Sequence, residues 1–383
     1  MAVHFSLEEF SNRKSNLIKE LKKQNLDGLL MFRQESMYWL TGYDTFGYVF
    51  FQCLILTTKG DVVLLTRAPD LRQAQNTSII KDIRIWVDKD NSKPSDELKN
   101  ILSELKLEKS NLGVEYEAYG LTGRNAIQLN NSLKNFVNLY DKSEIVSRFR
   151  VVKSDSEINL VKHAAKLADD AMEIAWKYAR EGESEAKILA EMQKIIFEGG
   201  GDYPANEFII GSGQNALLCR YQSEKQKLKK IDQLSIEWAG TYKHYHSCLF
   251  RTILIGRIND KQKRMHEACT EALSACENKL KPGHKAGDVF DAHAEVLDRF
   301  GYKKSRMNAC GYSLGATFSP NWMDWPMLYT GNPYIIQPGN VFFMHMILMD
   351  SQNQLAMNLG ETYLVTDHGN ERLGRKSLDL VIC

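Results

Sequence analysis

The residues best suited to chemistry lie in one stretch, positions 231–256, where a carboxylate precedes two histidines and a cysteine. Apolar and polar residues alternate in its first half, so a β-strand would direct Glu237 away from its apolar neighbours. The same alternation in the second half places His244, His246 and Cys248 on one face of a second strand. A carboxylate beside imidazoles in a cleft could act as a nucleophile or in proton transfer.

A tight connection between the two strands is expected at the small residues 239–241, so the stretch is predicted to form a β-hairpin with its chemistry on one side. The alternative is an ordinary buried hairpin. In that case Glu237 would be neutralised by the histidines or by Arg251, with no catalytic role.

The remaining pattern predicts two domains around this hairpin. Short apolar strands alternate with helical segments up to about residue 145, which is typical of a small α/β domain. An amphipathic helix with Ser154 or Asp155 as its N-cap then opens a second part, in which helices precede long strands. We expect an α+β fold, a curved antiparallel sheet backed by helices, with domains at 1–148 and 149–383.

Composition excludes several classes of protein. The 383 residues carry 49 Lys and Arg against 48 Asp and Glu, so no net field would attract nucleic acid or an anionic membrane. The 7 cysteines lack CxxC spacing, which argues against a disulfide framework or a zinc cluster. No segment has the apolar length of a membrane span or a signal peptide. A cytoplasmic protein with a small-molecule partner is expected.

Four segments resemble the pita-bread family of creatinases, prolidases and methionine aminopeptidases. They are residues 231–256, NACGYSLG at 308–315, QPGNVFFMH at 337–345 and GETYLVTDHG at 360–369. The resemblance implies a C-terminal pita-bread catalytic domain behind a smaller creatinase-type N-terminal α/β domain. It also implies a homodimer, in which the small domain of one subunit reaches toward the site of the other.

The metallopeptidases of this family hold two metal ions with two Asp, one His and two Glu. These positions fall on Glu237, Cys248, Tyr312, His345 and Gly360. Tyrosine, cysteine and glycine at three of the five positions do not supply the oxygen donors that bridge two ions. The resemblance therefore implies a member without a metal cofactor.

Within the family, the sequence most resembles the metal-independent ectoine hydrolase branch, which opens a cyclic amidine. The similar segments are 37–44, 201–205, 237–252, 310–315 and Glu361. The glutamate of that branch that matches Glu237 looks like a covalent nucleophile, so the resemblance gives Glu237 this role. The sequence departs from the branch at Arg220, where the branch has His, and at His345, where it has Met.

The other candidate catalytic residues follow from the residue types. His246 and His345 could transfer protons, and Tyr312 could donate a hydrogen bond to substrate or to an oxyanion. Glu361 could be a second carboxylate for proton transfer. For His246 a structural hydrogen bond, and for Tyr312 simple packing, are the alternatives.

Candidate substrate-binding residues come from both domains. Arg220 could bind a substrate carboxylate with its planar donors, or form a salt bridge with Glu237 or Glu207. Irregular loops often line sites, and the aromatic stretch near residue 40 could equally be core. The further candidates are Asp202 and Tyr203 in a glycine-rich loop, Cys248 in the hairpin, and Tyr43, Asp44 and Arg67 as parts of a lid.

These observations predict a metal-independent hydrolase that cleaves a C–N bond of a small zwitterionic cyclic amidine. Three alternatives remain open at this point. They are a creatinase-like amidinohydrolase, an Xaa-Pro dipeptidase-like enzyme, and a catalytically silent pita-bread protein that binds a peptide or another protein.

Overall fold

The computed structural model describes residues 3–383, and the chain divides into two units, one ending at Arg150 and the other beginning at Val151. The first unit holds a six-stranded mixed sheet with strand order β4-β3-β2-β1-β5-β6. Its first helix begins after Ser6, whose hydroxyl accepts the backbone N–H of Glu9. Its elements are α1 Leu7–Lys23, β1 Gly28–Met31, α2 Gln34–Thr41, β2 Cys53–Thr57, β3 Val62–Arg67, α3 Leu71–Thr77, β4 Asp82–Trp86, α4 Pro94–Glu104, β5 Asn111–Val114, α5 Gly123–Leu133, β6 Asn138–Asp141 and α6 Ser147–Arg150.

The second unit is built on a nine-stranded sheet with the main order β11-β10-β12-β13-β9-β8-β7. Ser154 caps its first helix through a capping box with Glu157. This helix and sheet arrangement confirms the predicted α+β class. The elements are α7 Asp155–Tyr178, α8 Glu185–Glu198, β7 Ile209–Ser212, β8 Asp232–Tyr242, β9 Tyr245–Ile255, α9 Asp260–Lys279, α10 Ala286–Arg299, β10 Gly311–Ser313, β11 Asp324–Met327, β12 Val341–Asp350, β13 Leu355–Thr366, β14 Gly369–Arg372 and β15 Val381–Ile382.

The hairpin of β8 and β9 turns two residues later than predicted. Its turn is Lys243–His244, whose φ angles of 50° and 65° are those of a two-residue hairpin turn. Residues 239–241 continue β8 instead of forming the turn. Gly240 is small because the strand lies against helix α7 at this position, and not because the chain turns there. A Cβ atom at Gly240 would lie 1.9 Å from the Ala164 carbonyl oxygen.

The two faces of this sheet serve different purposes. The helix face, which includes Trp238, Met344 and Leu359, packs on helices, and the Trp238 indole N–H donates to the Ala168 carbonyl of α7 at 2.9 Å. Residues paired across strands share a face, and side chains alternate along each strand. Glu237 therefore points to the opposite face, which we call the site face and which includes Phe250 and Gly360.

The state of the cysteines and the hydropathy of the helices complete the description of the fold. All seven cysteines are free thiols. Within residues 3–383, no helix combines the length and hydropathy needed to cross a membrane.

The close contact at Gly240 can be tested by substitution. Gly240→Ala should destabilise the protein by about 3 kcal/mol or more, because the added methyl group must separate β8 from α7. Urea unfolding measures this loss. The control is Gly123→Ala, where a Cβ meets no atom within 4 Å, so its effect should stay below about 1 kcal/mol. Equal stability of the two variants would contradict the packing.

Candidate active site

The site face brings together the five positions predicted from the metallopeptidase pattern. Glu237 lies opposite Phe250, which also pairs with Gly360 in the next strand. Gly360 in turn lies opposite His345. Tyr312 reaches this group from β10, and its ring centroid is 5.6 Å from that of His345. The fifth position, Cys248, follows on β9, where burial and the nearby Glu237 charge raise the pKa of its thiol.

Glu237 is a buried carboxylate with one direct donor. Its side chain is only 8% exposed, and Oε1 accepts the Tyr312 hydroxyl at 3.3 Å. Burial raises the pKa of Glu237 to about 7, against the opposing effects of the Tyr312 hydrogen bond and the Arg220 charge. At neutral pH the group is therefore divided between a carboxylate and a carboxylic acid.

Tyr312 is held by a residue that the sequence did not indicate. The Trp322 indole N–H donates to the Tyr312 hydroxyl oxygen at 2.8 Å, and both side chains are buried. Burial raises the pKa of Tyr312 well above its usual range, so its hydroxyl stays protonated. Trp322 lies in the irregular segment between β10 and β11, where no periodic pattern marks a functional side chain.

His345 is the histidine that joins Glu237 and Tyr312 in this group. Burial lowers its pKa to about 4, so the imidazole is neutral at pH 7. Its Nδ1 atom is buried without a hydrogen-bond partner in residues 3–383. A neutral imidazole with a free nitrogen can accept a proton.

Arg220 lies close enough for its charge to act on Glu237, yet it is exposed. Its guanidinium donates to the Cys219 carbonyl at 2.6 Å and forms no ion pair within residues 3–383, so the predicted salt bridges to Glu237 and Glu207 are absent there. The thiol of Cys219 also lies near, since the Glu237 charge adds to the burial that raises its pKa. Arg220 can thus present unpaired donors to a ligand.

His246 makes structural hydrogen bonds, which are the alternative to the proton transfer expected from the sequence. Its Nε2 accepts the Ala205 backbone N–H at 2.9 Å, and its Nδ1 lies 3.2 Å from the Thr317 hydroxyl. Burial lowers the pKa of His246 to about 3, so it remains neutral. Because both ring nitrogens are occupied, His246 fixes two loops and has no free nitrogen for substrate.

Glu361 lies on the helix face, opposite to the face that carries Glu237, and its role as a second carboxylate for proton transfer stays a prediction. It pairs with Met344 across the strands and directly follows Gly360, so its side chain points to the face opposite to that of Gly360. Its Oε1 forms a buried ion pair with Arg251, whose guanidinium also donates to the Gly360 carbonyl at 2.8 Å. Glu361 therefore stabilises the junction of β9 and β13.

Asp202 and Tyr203 hold or flank the hairpin. The Asp202 carboxylate accepts the backbone N–H of Lys243 and so caps the turn of β8 and β9. Tyr203 is 76% exposed, and its ring lies 4.8 Å from that of Phe197. Tyr203 is therefore the more exposed of the two, since Asp202 is half-buried.

The three candidates of the first unit have local partners. Tyr43 is fully buried in the core of that unit and donates to Gln52 at 3.2 Å, and its part in a lid stays a prediction. The Asp44 backbone N–H donates to Thr77 at 3.1 Å. Arg67 binds Asp88 through two nitrogens, at 2.9 and 3.1 Å. Substrate contacts by Asp44 and Arg67 stay a prediction.

The donor set does not fit a pair of metal ions. Gly360 has no side chain, and the phenol of Tyr312 and the thiol of Cys248 do not supply the carboxylate oxygens that bridge two metal ions. Residues 3–383 contain no group of three or more His, Cys, Asp and Glu side chains placed to hold a metal. Glu237 and His345 alone are too few for a bridged site.

The raised pKa of Glu237 predicts a pH-dependent gain in stability for Glu237→Gln. Below the ordinary value of 4.5 both side chains are neutral, so the two proteins should be similar. Between pH 4.5 and about 7 the free energy of unfolding of the wild type falls progressively, because Glu237 ionises in the unfolded state at a lower pH than in the folded state. The variant should therefore become more stable than the wild type, by about 3 kcal/mol at most. Urea unfolding from pH 4 to pH 8 measures it. The exposed Glu224→Gln serves as control, and a pH-independent difference for Glu237→Gln would contradict the burial.

Comparison with known proteins places this arrangement in a family. Residues 159–367, more than half of the chain, match the metallopeptidase family M24, and residues 13–152 match the creatinase/prolidase N-terminal domain. The chain is 25% identical to the ectoine hydrolase of Halomonas elongata, over 97% of each protein. It is 23% identical to an Xaa-Pro dipeptidase of Pyrococcus horikoshii, over 98% of this chain and 100% of the relative. The solved Xaa-Pro dipeptidase of Bacillus anthracis has a TM-score of 0.85 at 20% identity, covering 98% of this chain and 100% of its own. The chain therefore belongs to the metallopeptidase family M24, with a creatinase-type N-terminal domain before a pita-bread domain.

Proposed function

We propose that this member of family M24 is a metal-independent hydrolase that cleaves a C–N bond in a small zwitterionic cyclic amidine. The observation that carries the proposal is the environment of Glu237. Glu237 is a buried carboxylate with a pKa of about 7, at a position where the metallopeptidases of the family have a metal ligand. Its neighbours are residues that do not form a site for two metal ions. The likeness to ectoine hydrolase supports the substrate class.

Glu237 would act as the nucleophile. Its carboxylate oxygen adds to the amidinium carbon as the C=N π electrons move onto nitrogen, and one C–N bond then breaks to open the ring. Water adds to the same carbon and releases the carboxylate. One water molecule is consumed overall: its oxygen becomes the amide oxygen, and its two protons end on the freed nitrogen.

Two neighbours would assist these steps. Tyr312 remains protonated and donates to Glu237 Oε1, which favours the ionised carboxylate that attack requires. His345 is neutral at pH 7 and can take a proton from the attacking water. The apolar rings of Phe250 and Phe343 are buried in the same site face and exclude bulk water.

Charge complementarity supports a zwitterionic substrate. Glu237 would attract the delocalised amidinium, and Arg220, which lies near and has unpaired donors, would bind the carboxylate. Ectoine, 5-hydroxyectoine and creatine carry both groups. A homodimer and a cytoplasmic location are further parts of the proposal.

An Xaa-Pro dipeptidase is the second candidate, because two of the proteins most similar to this chain have that name. Those peptidases belong to a family in which metal ions activate water. The donor set here disfavours that chemistry. A silent binding protein is the third candidate, against which the titratable Glu237 and His345 argue.

Turnover by Glu237→Gln tests the proposed nucleophile. The amide keeps the volume of the side chain but loses its charge and nucleophilicity, so the rate should fall at least about 1,000-fold with the fold intact. Wild type and variant are mixed with ectoine, hydroxyectoine, creatine and an Xaa-Pro dipeptide, and NMR follows each substrate. The matched control is the same substitution at an exposed glutamate, Glu224→Gln, which should leave turnover unchanged. Turnover of the dipeptide alone, or a variant with more than a few per cent of the wild-type rate, would contradict the proposal.

Metal content is an independent test. Protein purified without chelator should hold far less than one equivalent of Mn, Co or Zn, because Tyr312, Cys248 and Gly360 do not fit the ligand set. Elemental analysis measures the metals, and EDTA should leave turnover unchanged. About two equivalents of metal together with loss of activity in EDTA would overturn the assignment.

A further inference from the structure

Trp322 makes a contact that determines the direction of the hydrogen bonds at Glu237. An indole N–H can only donate, so the Tyr312 oxygen must accept from Trp322 at 2.8 Å. The single proton of the Tyr312 hydroxyl is then directed to Glu237 Oε1 at 3.3 Å. The other oxygen, Oε2, receives no hydrogen bond from any residue between 3 and 383. Oε1 is thus held while Oε2 stays available.

Trp322 is itself fixed from the far side by a second set of directed bonds. The Ala205 N–H donates to His246 Nε2, which leaves the single ring proton of the neutral His246 on Nδ1. That proton points to the Thr317 hydroxyl at 3.2 Å, and Thr317 donates in turn to the Trp322 carbonyl at 3.5 Å. The bonds run in one direction, from the Ala205 amide to the residue that orients Tyr312.

We propose that Trp322, held by His246 through Thr317, is a positioning residue that keeps the Tyr312 hydroxyl donating to Glu237 Oε1 and leaves Oε2 as the reactive oxygen. The assignment rests on the proposed role of Glu237 as the reacting carboxylate. All the side chains of this chain of bonds are buried, so solvent does not supply substitute donors or acceptors.

Removing the indole N–H should favour the protonated form of Glu237. The Tyr312 oxygen would lose its donor and could accept a hydrogen bond from a neutral Glu237 carboxyl, which reverses the direction of the bond. The Tyr312 hydroxyl would also donate less strongly without the polarising bond from Trp322. Both effects raise the Glu237 titration midpoint, by about 0.5 to 1 pH unit for one hydrogen bond. This equals a roughly 3- to 10-fold gain in proton affinity.

The test is a titration of Glu237 that does not depend on turnover. Full-length protein with ¹³C-labelled glutamate carboxyl groups is titrated by NMR, and Glu237→Gln assigns the resonance. Trp322→Phe should raise the midpoint above the wild-type value near 7, and Tyr312→Phe should raise it at least as far. In the double variant, Trp322→Phe should add nothing further, because the indole acts through Tyr312.

The matched control is Trp238→Phe, which removes an equally buried N–H bond of 2.9 Å on the helix face and should leave the midpoint unchanged. An unchanged midpoint in Trp322→Phe, or an equal shift with and without Tyr312, overturns the assignment. If Trp322→Phe does not fold, an unchanged midpoint in Tyr312→Phe overturns it. A shifted midpoint in a protein that turns over none of the four substrates contradicts the proposed function and leaves the positioning role in place.

Discussion

The burial of one carboxylate governs the site of this protein. Moving a charged group out of water is costly unless hydrogen bonds or opposite charges compensate it. Glu237 has only partial compensation, one phenol donor and the charge of an exposed arginine, and its pKa therefore rises to about 7. If hydrogen bonds and opposite charges fully compensated its burial, Glu237 would be an unreactive anion. Without any such compensation it would remain a neutral acid at pH 7. The intermediate state suits a group that must be ionised and reactive at neutral pH.

The two-residue period of the sheet assigns different tasks to chemically similar residues. Glu237 and Glu361 are both buried glutamates on long strands of one sheet, yet they lie on opposite faces. Glu361 forms a buried ion pair with Arg251 on the helix face through one carboxylate oxygen. The Arg251 charge lies in direct contact with the Glu361 carboxylate, whereas Glu237 has no ion-pair partner among residues 3–383. The same pairing fixes the strand junction that carries Gly360 and Phe250 on the site face.

The sequence predicted the site residues that lie on strands with alternating apolar and polar residues, and it did not predict those in irregular backbone. Alternation along β8 correctly placed Glu237 opposite to its apolar neighbours, and the family pattern located the five positions that meet on the site face. Alternation failed to place Glu361, because β13 is buried on both faces and its pattern is nearly continuous. It also misplaced the hairpin turn, since Gly240 is small for the sake of helix packing. Trp322 and Thr317 lie in irregular backbone, where only tertiary contacts reveal a role.

The proposed mechanism requires that Glu237 form a covalent bond with its substrate. Rapid acid quenching during a single turnover of ectoine, followed by peptide mass spectrometry, tests this most directly. Ring opening keeps the freed nitrogen attached to the substrate, so we expect an adduct of the full substrate mass on the peptide that contains Glu237. The adduct should be absent from Glu237→Gln. Turnover without such an adduct, or an adduct on another residue, would contradict it.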